Sequence, residues 1–160
     1  MPIGSQLRSL FSAAPRREAQ GTYIALVGQS RKAFFYTDCA VPDTLDGRFE
    51  IIVLHVFLRL RLLQEQGGQE EQSRLLLECL YDDMDRNLRE MGVGDMGVGK
   101  RVKVMSRAAF GRLEAYKQAY DDEQALREAL VRNVYRGADV PAQAVEALVR
   151  YVREYDGVIG

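Results

Sequence analysis

Residues 45–66 read "LDGRFEIIVLHVFLRLRLLQEQ". So many of these positions are apolar that a helix through them is hydrophobic round most of its circumference, which places it at the centre of a core or against a partner. It is not a membrane span: Glu50, His55, Arg59 and Arg61 interrupt it, and no run nears the roughly 18 apolar residues such a span needs. Gly67 and Gly68 end it. Pro42, Asp43 and Thr44 punctuate the chain before it, with Thr44 a natural N-cap.

Outward from this stretch the apolar period stays helical, and no window alternates at period two. A preceding helix is predicted over 18–36, with Tyr23, Ala25, Leu26, Ala33 and Phe34 as its apolar residues. A following helix over 70–91 carries a stripe of Leu77, Leu80, Met84, Leu88 and Met91, and its short link to 45–66 predicts an antiparallel pair. A helix over 98–120 is lined by Val98, Val102, Met105, Ala109 and Tyr116. Asp121 and Asp122 break it or cap the next helix, Gly137 stops that one, and Pro141 at a first helical position opens the last. The expectation is an all-α protein: a single compact helical domain of about six to seven helices over residues 18–160, behind a basic segment at 1–17.

The chain has 160 residues, one domain's worth. Its 22 Lys and Arg balance 23 Asp and Glu, so any nucleic-acid reading must rest on a local patch, and DNA binding is not expected. Cys39 and Cys79 stand far apart and read as thiols in a reducing compartment rather than a bridge. Residues 1–17, "MPIGSQLRSLFSAAPRR", have three Arg, no acid, and Leu7, Leu10 and Phe11 at helical spacing. This fits either an organellar transit peptide or a frayed basic amphipathic helix that touches the surface or a membrane face.

Residues 89–103, "REMGVGDMGVGKRVK", repeat Met-Gly-Val-Gly and place Gly94, Gly99 and Lys100 at the spacing of a phosphate-binding loop, G-x-x-x-x-G-K. Two requirements of that loop fail. Position 101 is Arg, not the Ser or Thr that would hold magnesium, and the preceding segment is a helix rather than a buried strand. The glycines read instead as a junction between helices, with Gly92 as a C-terminal cap and Gly94, Asp95, Gly97 and Gly99 as a docked connection. Lys100, Arg101, Lys103 and Arg107 then fall in the first turns of a helix, where the macrodipole favours anions. Asp82, Asp83 and Asp85, late in the preceding helix, are equally mismatched. Either these ends meet and neutralise each other, or they are solvated faces with local pairs Asp82–Arg86 and Asp85–Arg89. The run Lys100–Arg107 is also open to reading as an RNA or ribosome contact, though it lacks interleaved aromatics. His55 is the only histidine and shares a helical face with Arg48, Ile52, Arg59 and Leu62. No nucleophile, carboxylate or cysteine lies at a spacing that would make it a base or a metal ligand, and no cofactor site is expected.

Three stretches together, "FFYTDCAVPDTLDGRFEIIVLHVFLRLRLL", "LLLECLYDDMDRNLREMGVGDMGVGKRVKVM" and "FGRLEAYKQAY", resemble the signature blocks of the ubiquinol-cytochrome c chaperone family. The resemblance implies a non-enzymatic assembly factor for the cytochrome bc1 complex that binds newly made cytochrome b. It also implies that a small partner protein and the ribosomal exit are possible associates, with a cytoplasmic or inner-membrane-peripheral location in bacteria and a mitochondrial one in eukaryotes. The surfaces expected to serve are the apolar helix 45–66, the acids Asp82, Asp83 and Asp85, and the segment from Gly92 through Gly94, Asp95, Gly97, Gly99, Lys100 and Arg101 to Lys103.

Overall fold

A computed structural model describes residues 3–158, with side chains from residue 13 onward. Among the described residues the chain forms seven helices: α1 (Ile3–Ser30), α2 (Ala33–Thr37), α3 (Leu45–Gln66), α4 (Glu70–Glu90), α5 (Asp95–Ala119), α6 (Glu123–Asn133) and α7 (Ala142–Glu154). The all-α, single-domain expectation is met.

The apolar circumference of α3 has a structural cause. One side, with Ile51, Leu54, Phe57 and Leu58, packs into a core shared with Phe35 of α2, Tyr116 of α5, Leu126 and Leu130 of α6, and Leu148 and Val152 of α7. The other side, with Val53, Val56 and Leu63, packs against Tyr23 and Leu26 of α1, Leu76, Leu80 and Met84 of α4, and Ala109 of α5. The helix serves two halves of one core, so most of 45–66 is not an exposed partner surface. Burying residues of this kind on both sides stabilises by about 1.5–3 kcal/mol for each fully enclosed side chain.

The helix ends follow local chemistry. Thr44 is the N-cap of α3, its Oγ1 accepting from the Gly47 N–H at 3.1 Å. Asp122 caps α6 by accepting from the Ala125 N–H at 3.1 Å. Gly67 and Gly68 end α3 with φ of 69° and 66°. The turn before α3 is tight enough to fix a residue type: a Cβ on Gly47 would stand 1.9 Å from the Pro42 carbonyl oxygen. Gly47→Ala is therefore expected to lower stability by about 1–3 kcal/mol, read as a lower urea midpoint, because backbone must move to admit the methyl group. An unchanged midpoint would show that the turn yields freely.

Several boundaries differ from the sequence-based expectation. The helix predicted over 18–36 is two elements: α1 ends at Ser30, and α2 begins after Lys32, whose ψ of 138° is extended. Ser30 turns its hydroxyl back onto the Val27 carbonyl at 2.7 Å, and Tyr36 Oη donates to the Ser30 carbonyl at 2.8 Å. Pro141 precedes α7 as its N-cap, with ψ of 132°, instead of occupying its first turn. On α4 the buried stripe is Leu75, Leu76, Leu80, Met84 and Leu88, while Met91 is 60% exposed past the helix end. At the N-terminus α1 runs through positions 17 and 18 without a break. The side chains of Leu7, Leu10 and Phe11, on which the amphipathic reading of that segment rests, lie outside the described residues.

Two buried polar links tie α3 to its neighbours. Glu50, 1% exposed, accepts from Arg112 of α5, with Nε at 2.9 Å from both carboxylate oxygens and Nη2 at 2.8 Å from Oε1. His55, fully buried, donates from Nδ1 to the Ile51 carbonyl at 2.8 Å, since a carbonyl can only accept. Its Nε2 accordingly accepts from Tyr151 Oη of α7 at 2.7 Å, and Gln29 of α1 donates to the same hydroxyl at 3.3 Å.

Candidate interaction site

The glycine segment is organised by the end of α4. The Val93 N–H donates to the Leu88 carbonyl at 3.2 Å and the Gly92 N–H to the Arg89 carbonyl at 3.0 Å, the paired bonds of a Schellman cap. Gly92 takes the left-handed conformation that this cap requires, with φ of 80°. Val93 folds back beside Leu88, Val98 and Val102 in a small apolar cluster. Gly94, with ψ of 155°, is the N-cap of α5, and the helix starts at Asp95. The junction is thus only Met91 to Gly94, and Gly97 and Gly99 are helical. This corrects the docked-connection reading of the glycines: the contacts of Val98 and Val102 recruit the segment into helix despite a cost of about 1 kcal/mol per glycine.

The two glycines on either side of that boundary respond oppositely. Gly92→Ala should destabilise by about 1 kcal/mol or more, because of its positive φ. Gly99→Ala, where a Cβ would meet nothing within 4 Å, should stabilise by about 0.4–1 kcal/mol. Urea melts of both variants check this, and a shift of the same sign in both would refute the assigned helix start.

The phosphate-loop spacing is also settled by this geometry. The Val98 N–H already donates to the Gly94 carbonyl at 2.9 Å, so Gly99 and Lys100 lie inside a helix and not in a glycine loop wrapped round a phosphate, and the element before the glycines is α4, not a strand. The expected charge compensation takes another form. Asp95 leads α5, in keeping with its dipole, and Lys100, Arg101 and Lys103 lie beyond the first turn. Arg89 bridges Asp85 at 2.8 Å and Asp95 at 2.5 Å across the junction. Asp83 accepts from Tyr23 Oη at 2.7 Å and pairs with Arg86 at 3.4 Å, while Asp82 faces Arg16 at 3.8 Å. Burial, reinforced by the Asp83 carboxylate, pushes the Tyr23 phenol far up, so it stays a donor. Arg86 therefore pairs with Asp83 rather than Asp82, and the pair Asp85–Arg89 forms as expected.

Among the described residues, Lys100, Arg101, Lys103 and Arg107 have no carboxylate within 4.0 Å. Asp82 and Asp83 face Arg16 and Tyr23 of α1, and only Asp85 reaches the junction, through Arg89, so the acids of α4 and the cations of α5 do not neutralise each other. Cys39 and Cys79 are free thiols, and burial pushes Cys39 up to about 12, so it is unreactive near neutrality.

Two further features lie outside the sequence-based expectation. The first is an open groove of about 890 Å³ where the end of α3, the start of α4 and the latter half of α5 meet. Phe57, Leu60, Leu63, Phe110, Leu113 and Tyr120 supply its apolar lining, and Arg61, Glu65, Glu70, Glu114, Lys117 and Asp121 add charge. Arg61 lies over the Tyr120 ring at 4.0 Å and bonds Glu65 at 2.5 Å, which fixes that wall. The second is the exposure of Met96, Val104 and Phe110 on α5. The signal for them was present: they are apolar residues off the buried stripe of Val98, Val102 and Ala109.

Among the described residues, six helices round a shared central one, with a charged groove and an unneutralised basic helix face, define an all-α single-domain protein whose distinctive features lie on its surface. The chain belongs to the ubiquinol-cytochrome C chaperone family, whose match covers residues 37–159 and so includes both the junction and the groove. It is 27% identical to the mouse ubiquinol-cytochrome c reductase complex assembly factor 1 over 134 residues, 82% of this chain and 45% of the mouse protein. The Drosophila melanogaster protein of the same name is 30% identical over 128 residues, 75% of this chain and 49% of that protein. The chain thus spans about half the length of these curated relatives. The crystal structure of the Cbp3 homolog from Brucella abortus is similar with a TM-score of 0.76 and 32% identity, over 92% of this chain and 84% of that one.

Proposed function

We propose that the protein is an assembly chaperone for the cytochrome bc1 complex that holds newly made cytochrome b by surface complementarity and performs no chemical step. The observation that carries this reading is the groove between α3, α4 and α5: an apolar lining with charges of both signs at its edge fits one face of a client helix. The junction from Asp82, Asp83 and Asp85 to Gly92–Lys103 forms a second contact surface in this reading, for the client or a small partner protein. Family membership supports the assembly role.

A photo-crosslinking residue at Phe110 should capture cytochrome b in cells. Deleting the gene should lower cytochrome b and the bc1 complex while cytochrome oxidase activity survives. Normal bc1 levels in the deletion would sink the proposal. The unneutralised cations Lys100, Arg101, Lys103 and Arg107 favour a second reading, a ribosome contact. Its association would fall steeply with salt and with Arg101→Glu and Lys103→Glu; ribosome co-sedimentation indifferent to both would remove it.

A further inference from the structure

On α5 the residues that face away from the core form one continuous stripe. Taking Met96 as reference, Lys100, Lys103 and Arg107 lie within about 40° of it, Phe110 about 40° to one side and Val104 about 80° to the other. Met96 is 95% exposed, Val104 60% and Phe110 54%. The stripe from Met96 to Phe110 is about 21 Å long. Glu114, two turns beyond Arg107, is the first carboxylate on this face, and Asp95 at the other end is held by Arg89.

A solvated helix face does not need three large apolar side chains, and a phosphate backbone makes no use of Met96 or Val104. Cations interleaved with apolar residues on one exposed helix face are instead the composition of a surface that lies in a bilayer interface. There the apolar tips enter the acyl boundary and the Lys and Arg stems snorkel to the headgroups. We infer that the outward face of α5, through Met96, Lys100, Lys103, Arg107 and Phe110, docks on an anionic phospholipid surface. A single-stranded RNA would call for several stacking aromatics, and this face has only Phe110. Phe110 also lines the groove, so docking brings the groove mouth to the membrane surface, whatever occupies the groove.

The test is co-sedimentation of the full chain with vesicles of phosphatidylcholine alone and of an equal mixture of phosphatidylcholine and phosphatidylglycerol. Binding is expected to the mixed vesicles and to weaken with salt. Replacing Lys100, Lys103 and Arg107 together by Glu should lower partitioning by about a hundredfold. Met96→Ser with Phe110→Ser should lower it by about tenfold. Far-UV circular dichroism checks that each variant folds, and the triple Gln replacement substitutes if the triple Glu does not. Wild-type protein that stays in the supernatant with mixed vesicles overturns the inference. So does an apolar double variant that binds as well as wild type while the charge variant does not, since the face would then read charge alone, as an RNA-binding surface would.

Discussion

Arg112→Ala is expected to cost about 3 kcal/mol of unfolding free energy, a large share of the 5–15 kcal/mol that holds a domain of this kind. Glu50 is 1% exposed, and Arg112 meets it with three contacts of 2.8–2.9 Å. Truncating Arg112 strands a carboxylate in the core, and the loss is chiefly its unrepaid desolvation rather than a vanished attraction. The discriminating measurement is a pair of urea melts. A double variant with Met at both 50 and 112 should recover most of the lost stability, because replacing a buried pair by apolar groups of similar length is often near neutral. If it is no more stable than Arg112→Ala, the deficit lies in packing and the ionic account fails. There is a functional corollary. Arg112 sits between Phe110 and Leu113 on α5 and ties that helix to α3, so the two walls of the groove are registered through this pair. Under the proposed function, Arg112→Ala should weaken client capture at temperatures where the fold survives.

What could be read from the sequence was what local chemistry decides. The centrality of 45–66 followed from its circumferential apolarity, its start from Thr44 and its end from Gly67 and Gly68. The break between α1 and α2 carried no Gly or Pro to announce it: Ser30, Arg31, Lys32 and Ala33 are unremarkable in a helix. It is imposed from a distance, by Phe35 packing edge-on to His55 and Tyr151 with ring centroids 5.1 and 4.9 Å apart. Gly97 and Gly99 misled in the opposite direction, since their low helix propensity is overridden by the burial of Val98 and Val102. The site was legible only in part. Spacing drew attention to the junction and its charges and paired Asp85 with Arg89, but it gave no sign that Arg89 also reaches Asp95 or that Arg86 takes Asp83 instead of Asp82. Glu50 and Arg112, 62 residues apart, and the groove assembled from parts of three helices have no signature along the chain.

The protein should lose about 3 kcal/mol of stability as pH falls from 6.5 to 4, through one residue. His55 is the only histidine, so no other imidazole titrates in this window, and down to about pH 5 ordinary carboxylates stay largely ionised, which leaves the change between neutrality and pH 5 to this residue. Burial pushes its pKa down to about 4, with the Lys32 charge acting the same way and the hydrogen bond to the Ile51 carbonyl opposing. In the unfolded chain the imidazole returns to the ordinary value of about 6.5. The folded-state pKa is depressed, so the unfolded state binds the proton first on acidification. Stability is fully present above 6.5, falls progressively below it, and stops falling from this cause near 4, where the native imidazole also protonates. By pH 5 the loss should be about 2 kcal/mol. Protonation adds an uncompensated charge where α3, α7 and α1 meet through His55, Tyr151 and Gln29, so the loosening should begin there. Urea melts at pH 7.5 and pH 5 measure the slope, and a His55→Gln variant supplies the reference. It will be less stable at neutral pH, having lost a shaped hydrogen-bonding ring, but its stability should be nearly flat between the two pH values. Equal slopes in the two proteins would place the pH dependence elsewhere, and a His55 ring resonance that titrates near 6.5 in the folded protein would show directly that the ring is not sealed from water.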